Sequence, residues 1–72
     1  MTDFVERLKA IRKAESITQR CIAEAIGTSE QNYQRYERGT QQPTLRVLIA
    51  LADYFNVSLD YLVGRSDDPT RH

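Results

Sequence analysis

The chain has 72 residues, and ten Lys and Arg balance ten Asp and Glu for a formal net charge of zero. That length allows one domain, leaves no room for the pocket-bearing α/β folds that host most enzymes, and its neutral balance argues against a generic polyanion binder. A domain this small buries only about 60% of the surface its unfolded chain exposes, and the single Cys21 forms no internal disulfide and suits a reducing compartment, so stability must come from compact helix packing, self-association or both.

Turn formers are sparse and regularly spaced: Gly27, Gly39, Pro43, Gly64 and Pro69. Thr18, Ser29, Thr44 and Ser58 stand just ahead of apolar runs, where a side-chain oxygen meets an orphan N–H at a helix start. Gly27, Gly39 and Gly64 stand where helices end. These signals predict five short helices. The first spans roughly 3–14, with Phe4, Leu8 and Ile11 on one face. The second spans 19–26, with Ile22 and Ile26 four apart, and the third 30–38, with Tyr33 and Tyr36 inward. The fourth spans 45–55, with Leu45, Leu48, Ile49, Ala52 and Phe55 expected inward. The fifth spans 59–63, and the polar segment 65–72 is expected to fray. No sustained alternating strand pattern occurs between hairpin turns. Met1-Thr2-Asp3 opens on an acid rather than a basic signal region. The longest apolar run, Val47 to Ala52, falls far short of the ~20 residues that cross a bilayer. The sequon at Asn56-Val57-Ser58 matters only in a secreted protein. The chain reads as soluble and cytoplasmic.

The informative stretch is Thr18 to Gly39. One helix ends at Gly27 and the next starts after Ser29, a connection short enough to force a large crossing angle. Ala23 lets the two approach, and Gly27 takes the positive φ of the turn. The second of these helices turns Glu30, Gln31, Gln34 and Arg35 outward, with Asn32 at the edge. Gln and Asn can bond adenine N6 and N7, Arg can bond guanine O6 and N7, and Glu30 can accept from cytosine N4. The same residues would also make an ordinary solvated helix face.

The run Ile17-Thr18-Gln19, Ile22-Ala23-Glu24, Ile26-Gly27, Ser29 and Tyr36-Glu37-Arg38-Gly39 resembles the helix-turn-helix family of phage repressors and Cro, the XRE or Cro/C1 type. Pro43, Leu45, Leu48, Leu51-Ala52 and 57–64 extend the likeness over about residues 4–65. The resemblance implies an all-α, lambda-repressor-like five-helix bundle over 1–65 with a polar tail at 66–72. It implies base reading by Glu30, Gln31 and Arg35, with Asn32 and Gln34 touching bases or phosphates. Thr18, Gln19, Arg38, Thr40, Gln41 and Arg46 are implied at the sugar-phosphate backbone, with Gln19 also bracing a base-reading side chain. Arg12 and Glu37 match a pair that bridges the first and third helices in several relatives. The sequence departs from the pattern at Thr40-Gln41-Gln42, where relatives often carry Lys or Arg. It departs again at Tyr33, where an aliphatic residue is commoner, and Glu30 would repel phosphate unless it serves the helix N-terminus.

The implied partner is a double-stranded DNA operator read by a homodimer on half-sites about 34 Å apart, with contact to RNA polymerase. The activity implied is that of a transcriptional regulator, a repressor. Residues 1–46 hold eight basic and six acidic groups, a net of +2, and 47–72 hold two basic and four acidic, a net of −2. The positive excess thus lies on the half with the paired helices. Phe55, Tyr61, Leu62, Val63 and Tyr54 are candidate interface residues, and Tyr54 and Tyr61 are preferred because the core already has its apolar stripe. An enzyme is not expected: His72 is the only His, and Asp67-Asp68 is a solvated pair rather than a catalytic dyad. No metal, cofactor or small-molecule ligand is expected, since one Cys and one His far apart do not make a zinc site. The rival reading is a protein-interaction module on the same fold, such as an antitoxin-like partner.

Overall fold

A side-chain oxygen opens every helix. In the computed structural model, which describes residues 3–71, Asp3 accepts from the Glu6 backbone N–H at 2.8 Å ahead of α1 (Phe4–Ala14). Thr18 does so for Cys21 ahead of α2 (Gln19–Ile26), and Ser29 for Asn32 ahead of α3 (Glu30–Arg38). Thr44 and Ser58 open α4 (Leu45–Phe55) and α5 (Leu59–Leu62) in the same way. Each such cap is worth about 1 kcal/mol, which matters in a domain with so little core. The expectations placed on Met1, Thr2 and His72 fall outside the described residues. Among the described residues no strand forms, and no helix is long and apolar enough to cross a membrane.

Helix ends use the left-handed region. Gly27 at φ 80 closes α2, and a Cβ there would meet nothing within 4 Å, so the backbone conformation alone calls for glycine. Asn56 at φ 56 closes α4 and Ser16 at φ 56 follows α1, two turns that the sequence reading passed over. Asn tolerates that region better than most residues.

The core gathers Leu8, Ile22, Ala23, Tyr33, Tyr36, Leu51, Ala52, Phe55, Val57 and Leu62, with Phe4, Ile11 and Ile26 packed against it. Tyr33 and Tyr36 meet edge to face at 6.4 Å. The inward face of α4 differs from expectation. Leu45 is 66% exposed and Ile49 43%, whereas Leu51 is fully buried. The helix is apolar around most of its circumference, so periodicity offers two stripes. Packing against α2 and α5 selects the one through Leu48, Leu51, Ala52 and Phe55.

The chain after α5 folds back rather than fraying. The Ser58 backbone N–H donates to the Pro69 carbonyl at 3.1 Å. Arg71 donates to Asp53 at 2.6 Å and Arg7 to Asp67 at 2.8 Å. Arg7 is buried, and its guanidinium lies 4.0 Å from the centre of the Tyr61 ring. Hydrogen bonds to Asp67 and Tyr61 keep the Arg7 guanidinium charged against the cost of burial. Tyr61, expected at an interface between copies, thus spends one ring face inside its own chain.

The stripe makes a direct prediction. Leu51→Ala is expected to cost about 2–5 kcal/mol, and Ile49→Ala to stay within about 0.5 kcal/mol of the parent, both read by urea unfolding. The opposite order would restore the first expectation for α4.

Candidate nucleic-acid interface

The turn at Gly27 sets α2 and α3 across one another, with Ala23 buried at the close approach. One side of α3 then carries Tyr33, Tyr36 and Glu37 into the protein, and the other carries Glu30, Gln31, Arg35 and Arg38 to solvent. Among the described residues no hydrogen-bond or ion-pair partner engages the side chains of Glu30, Gln31 or Arg35. A carboxylate, an amide and a guanidinium at the surface of a nine-residue helix are therefore free to meet an outside partner.

Behind that face lies a buried polar network. Glu37 is 5% exposed. Arg12 donates to it through Nε and, at 3.1 Å, through a terminal guanidinium nitrogen. The Tyr33 hydroxyl donates at 2.6 Å and the Gln19 amide at 3.1 Å. Arg12 also donates to the Ile17 carbonyl at 3.0 Å, tying down the chain between α1 and α2. Burial by itself pushes the Glu37 carboxyl up. The hydrogen bonds from Arg12, Tyr33 and Gln19 outweigh it and hold the group below the ordinary carboxylate value. The Tyr33 hydroxyl is pushed well above the phenol range, first by burial and then by its bond to Glu37.

The network reaches the surface. Gln19, at the start of α2, accepts from the Gln34 amide at 3.2 Å, so Gln34 is braced while Gln31 and Arg35 are free. Asn32 turns back on the scaffold, its NH2 group donating to Thr28 Oγ1 at 2.8 Å and to the Tyr36 hydroxyl at 2.9 Å. Only its carbonyl oxygen is left for a partner. The Thr18 hydroxyl is used as a helix cap. The Thr40 hydroxyl leans toward the Arg35 carbonyl at 3.4 Å, and Gln41 and Arg46 are exposed. Arg38 and Lys9 line a shallow open cleft with Gln19, Gln34 and Glu37.

Lys9 was not foreseen, because it sits on α1 and only the fold carries it beside α3. Tyr33 was expected inward but not as a donor; its spacing of four from Glu37 on one helix is the signal that would have found it. Tyr54 is exposed, with its hydroxyl 3.8 Å from Cys21 Sγ, a contact that pushes the hydroxyl up.

Two crossed helices on a glycine turn, with a capped and exposed second helix, define a helix-turn-helix domain. The sequence profile of the helix-turn-helix family matches residues 8–62, and the chain belongs to that family, in its XRE or Cro/C1 branch. It is 39% identical over 66 residues to the HTH-type transcriptional regulator YobD of Bacillus subtilis, a match over 92% of this chain and 59% of that protein. It is 43% identical over 60 residues to the cryptic phage CTXphi transcriptional repressor RstR of Vibrio cholerae, over 83% of this chain and 54% of that protein. The chain thus spans little more than half the length of these curated relatives. Its fold is similar to that of the P22 c2 repressor in complex with a synthetic operator. The TM-score is 0.83 at 29% identity, covering 92% of this chain and all of that one.

The network predicts a pH signature. Glu37 titrates below its ordinary value of 4.5 in the folded chain, so its contribution is fully present above that pH. It is lost as the pH falls through the folded value. In Arg12→Met burial is expected to outweigh the remaining bonds from Tyr33 and Gln19 and to raise the Glu37 value, which reverses the sign. That variant is expected to lose about 3 kcal/mol at neutral pH and to regain part of it on acidification to about pH 5. Thermal melts at the two pH values check this, and an equal loss at both would contradict it.

Proposed function

We propose that this chain is the sequence-specific, double-stranded DNA-binding unit of a cytoplasmic transcriptional regulator, acting as a repressor. The observation that carries the reading is the free face of Glu30, Gln31 and Arg35 on a helix held rigidly from behind. An exposed helix of this width enters the major groove, where Gln reads adenine and Arg reads guanine through paired hydrogen bonds. Lys9, Arg38 and Arg46, with Gln19, Thr18, Thr40 and Gln41 around them, meet the flanking phosphates. The bound operator of the P22 c2 repressor and the repressor name of RstR support the same reading.

Nine residues of α3 extend only about 13 Å, enough for one pass of the groove. Operator-length recognition therefore takes two copies, with half-sites one helical turn apart. The surface proposed between them is the edge of α4 carrying Leu45 and Ile49 together with Leu59, which shares a groove with Ile49. Tyr54 lies about 180° around α4 from Leu45, beside Cys21, and is a poorer fit than the sequence suggested. Regulation follows from occluding or touching RNA polymerase at the promoter.

Selection of duplexes from a randomised pool is expected to enrich an inverted repeat; folded protein that enriches none would overturn the reading. Arg35→Ala and Gln31→Ala are each expected to weaken binding to that repeat by about 1–3 kcal/mol with unchanged melting. The slope of log affinity against log salt is expected to stay well short of about −10, because few phosphates are neutralised by a chain of zero net charge. Ile49→Asp is expected to leave the fold intact and abolish cooperative binding to the two half-sites. Sedimentation of the protein–DNA complex reads that loss.

A further inference from the structure

The buried network has a direction. Glu37 takes donors from Arg12, Tyr33 and Gln19, and an ionised carboxylate accepts only. Gln19 must therefore turn its NH2 toward Glu37, at 3.1 Å. That leaves the Gln19 carbonyl oxygen at the other end of the amide, and the oxygen must meet a donor. The donor is the NH2 of Gln34, at 3.2 Å. Gln34 in turn is left with a free carbonyl oxygen and one free N–H. Each amide along this line could point either way in isolation; the carboxylate at its root removes the choice.

We infer that Glu37 sets the hydrogen-bonding polarity of Gln34 through Gln19, so that Gln34 selects a base whose major-groove edge donates, adenine through N6 or cytosine through N4. Glu37 is here a positioning residue: it touches no base and acts through two side chains. The inference rests on the proposed reading of DNA by α3. It adds to that reading the class of base taken at one position and the buried group that decides it. Gln31, which no partner braces, carries no such imposed direction, and the Arg35 guanidinium can only donate.

The polarity can be inverted chemically. In Glu37→Gln, Arg12 Nε and Tyr33 still share one oxygen, so the new amide presents its NH2 toward Gln19, in place of the oxygen that also met the second Arg12 nitrogen. Gln19 then turns its own oxygen inward and its NH2 outward. Gln34 accepts that NH2 through its oxygen and shows both N–H groups to solvent. It becomes a donor, suited to guanine O6 and N7 or thymine O4. Gln19→Ala cuts the line while leaving the Arg12–Glu37 pair in place.

The test compares duplexes selected by the parent chain and by Gln34→Ala, Gln19→Ala and Glu37→Gln. Gln34→Ala identifies the base pair that Gln34 faces, as the one position where preference disappears. The parent is expected to favour adenine or cytosine there by about fivefold or more. Gln19→Ala is expected to weaken binding overall and to flatten that one position. Glu37→Gln is expected to move it toward guanine or thymine, with the remaining positions unchanged. A merely structural role for Glu37 would weaken every position together. Should Glu37→Gln fail to fold, Gln19→Ala and the parent preference still decide. In the free protein, side-chain amide resonances of Gln34 are expected to be shifted and protected in the parent and averaged in Gln19→Ala. Guanine or thymine preferred by the parent at that position, no position responding to Gln34→Ala, or an unchanged preference in Gln19→Ala overturns the inference alone. No enriched duplex for the folded parent overturns the reading of DNA beneath it.

Discussion

A carboxylate buried in a chain of 72 residues is a large liability unless its charge is met on all sides. Glu37 is met by Arg12 from α1, Gln19 from α2 and Tyr33 from its own helix, four hydrogen bonds in all. The guanidinium supplies the opposite charge in a fork whose geometry matches a carboxylate. The phenol and the amide satisfy the remaining lone pairs. Each donor belongs to a different part of the fold, so the requirement to solvate one charge fixes three helices relative to one another. The crossing of α2 and α3, on which any groove-entering role depends, is thus held by Ala23 packing on one side and by this charge on the other.

The rest of the molecule manages smallness. Five caps and five residues at positive φ settle where helices begin and end before packing is considered. The last residues close the other end. Arg7, stacked on Tyr61 and paired with Asp67, lets a long cation lie in the interior while its charge is answered by a ring face and a carboxylate. The Arg7 Nε remains buried without a partner, a cost that a pure hydrocarbon would avoid. Two charged clusters therefore flank the apolar core, one behind α3 and one under α5.

Much of the fold was legible because the signals are local. A hydroxyl followed by apolar spacing, ended by glycine, specifies a short helix with little help from elsewhere, and α2 and α3 begin and end where those signals stand, while α4 begins on its hydroxyl and ends on Asn56. The face of α4 was not legible. Leu45, Leu48, Ile49, Leu51 and Ala52 satisfy two helical stripes at once, and only the positions of α2 and α5 choose between them. The return of the tail was hidden too, since Asp67 and Arg71 are ordinary surface charges until Arg7 and Asp53 are brought near. At the candidate site the outward set on α3 followed from periodicity. The cap at Thr18 was legible as one of those local signals, but the commitment of Gln34 to Gln19 was not, because a hydrogen bond between helices leaves no periodic trace.

In the proposed reading of DNA, neutral net charge and a rigid face on α3 belong together. A strongly basic domain gains affinity for any duplex by releasing counterions, and its base contacts need only add discrimination. A chain with ten cations and ten anions lacks most of that general attraction, so the recognition proposed for it draws its energy from contacts to particular atoms. Such contacts are degraded by side-chain freedom, since immobilising a glutamine on binding costs up to about 2 kcal/mol. Gln34 is immobilised on folding instead, by Gln19 and through it by Glu37. On the proposed reading of DNA, the buried carboxylate that costs desolvation in the free protein thereby removes an entropic cost from recognition, and it does so at an amide on α3 whose orientation a line of hydrogen bonds dictates.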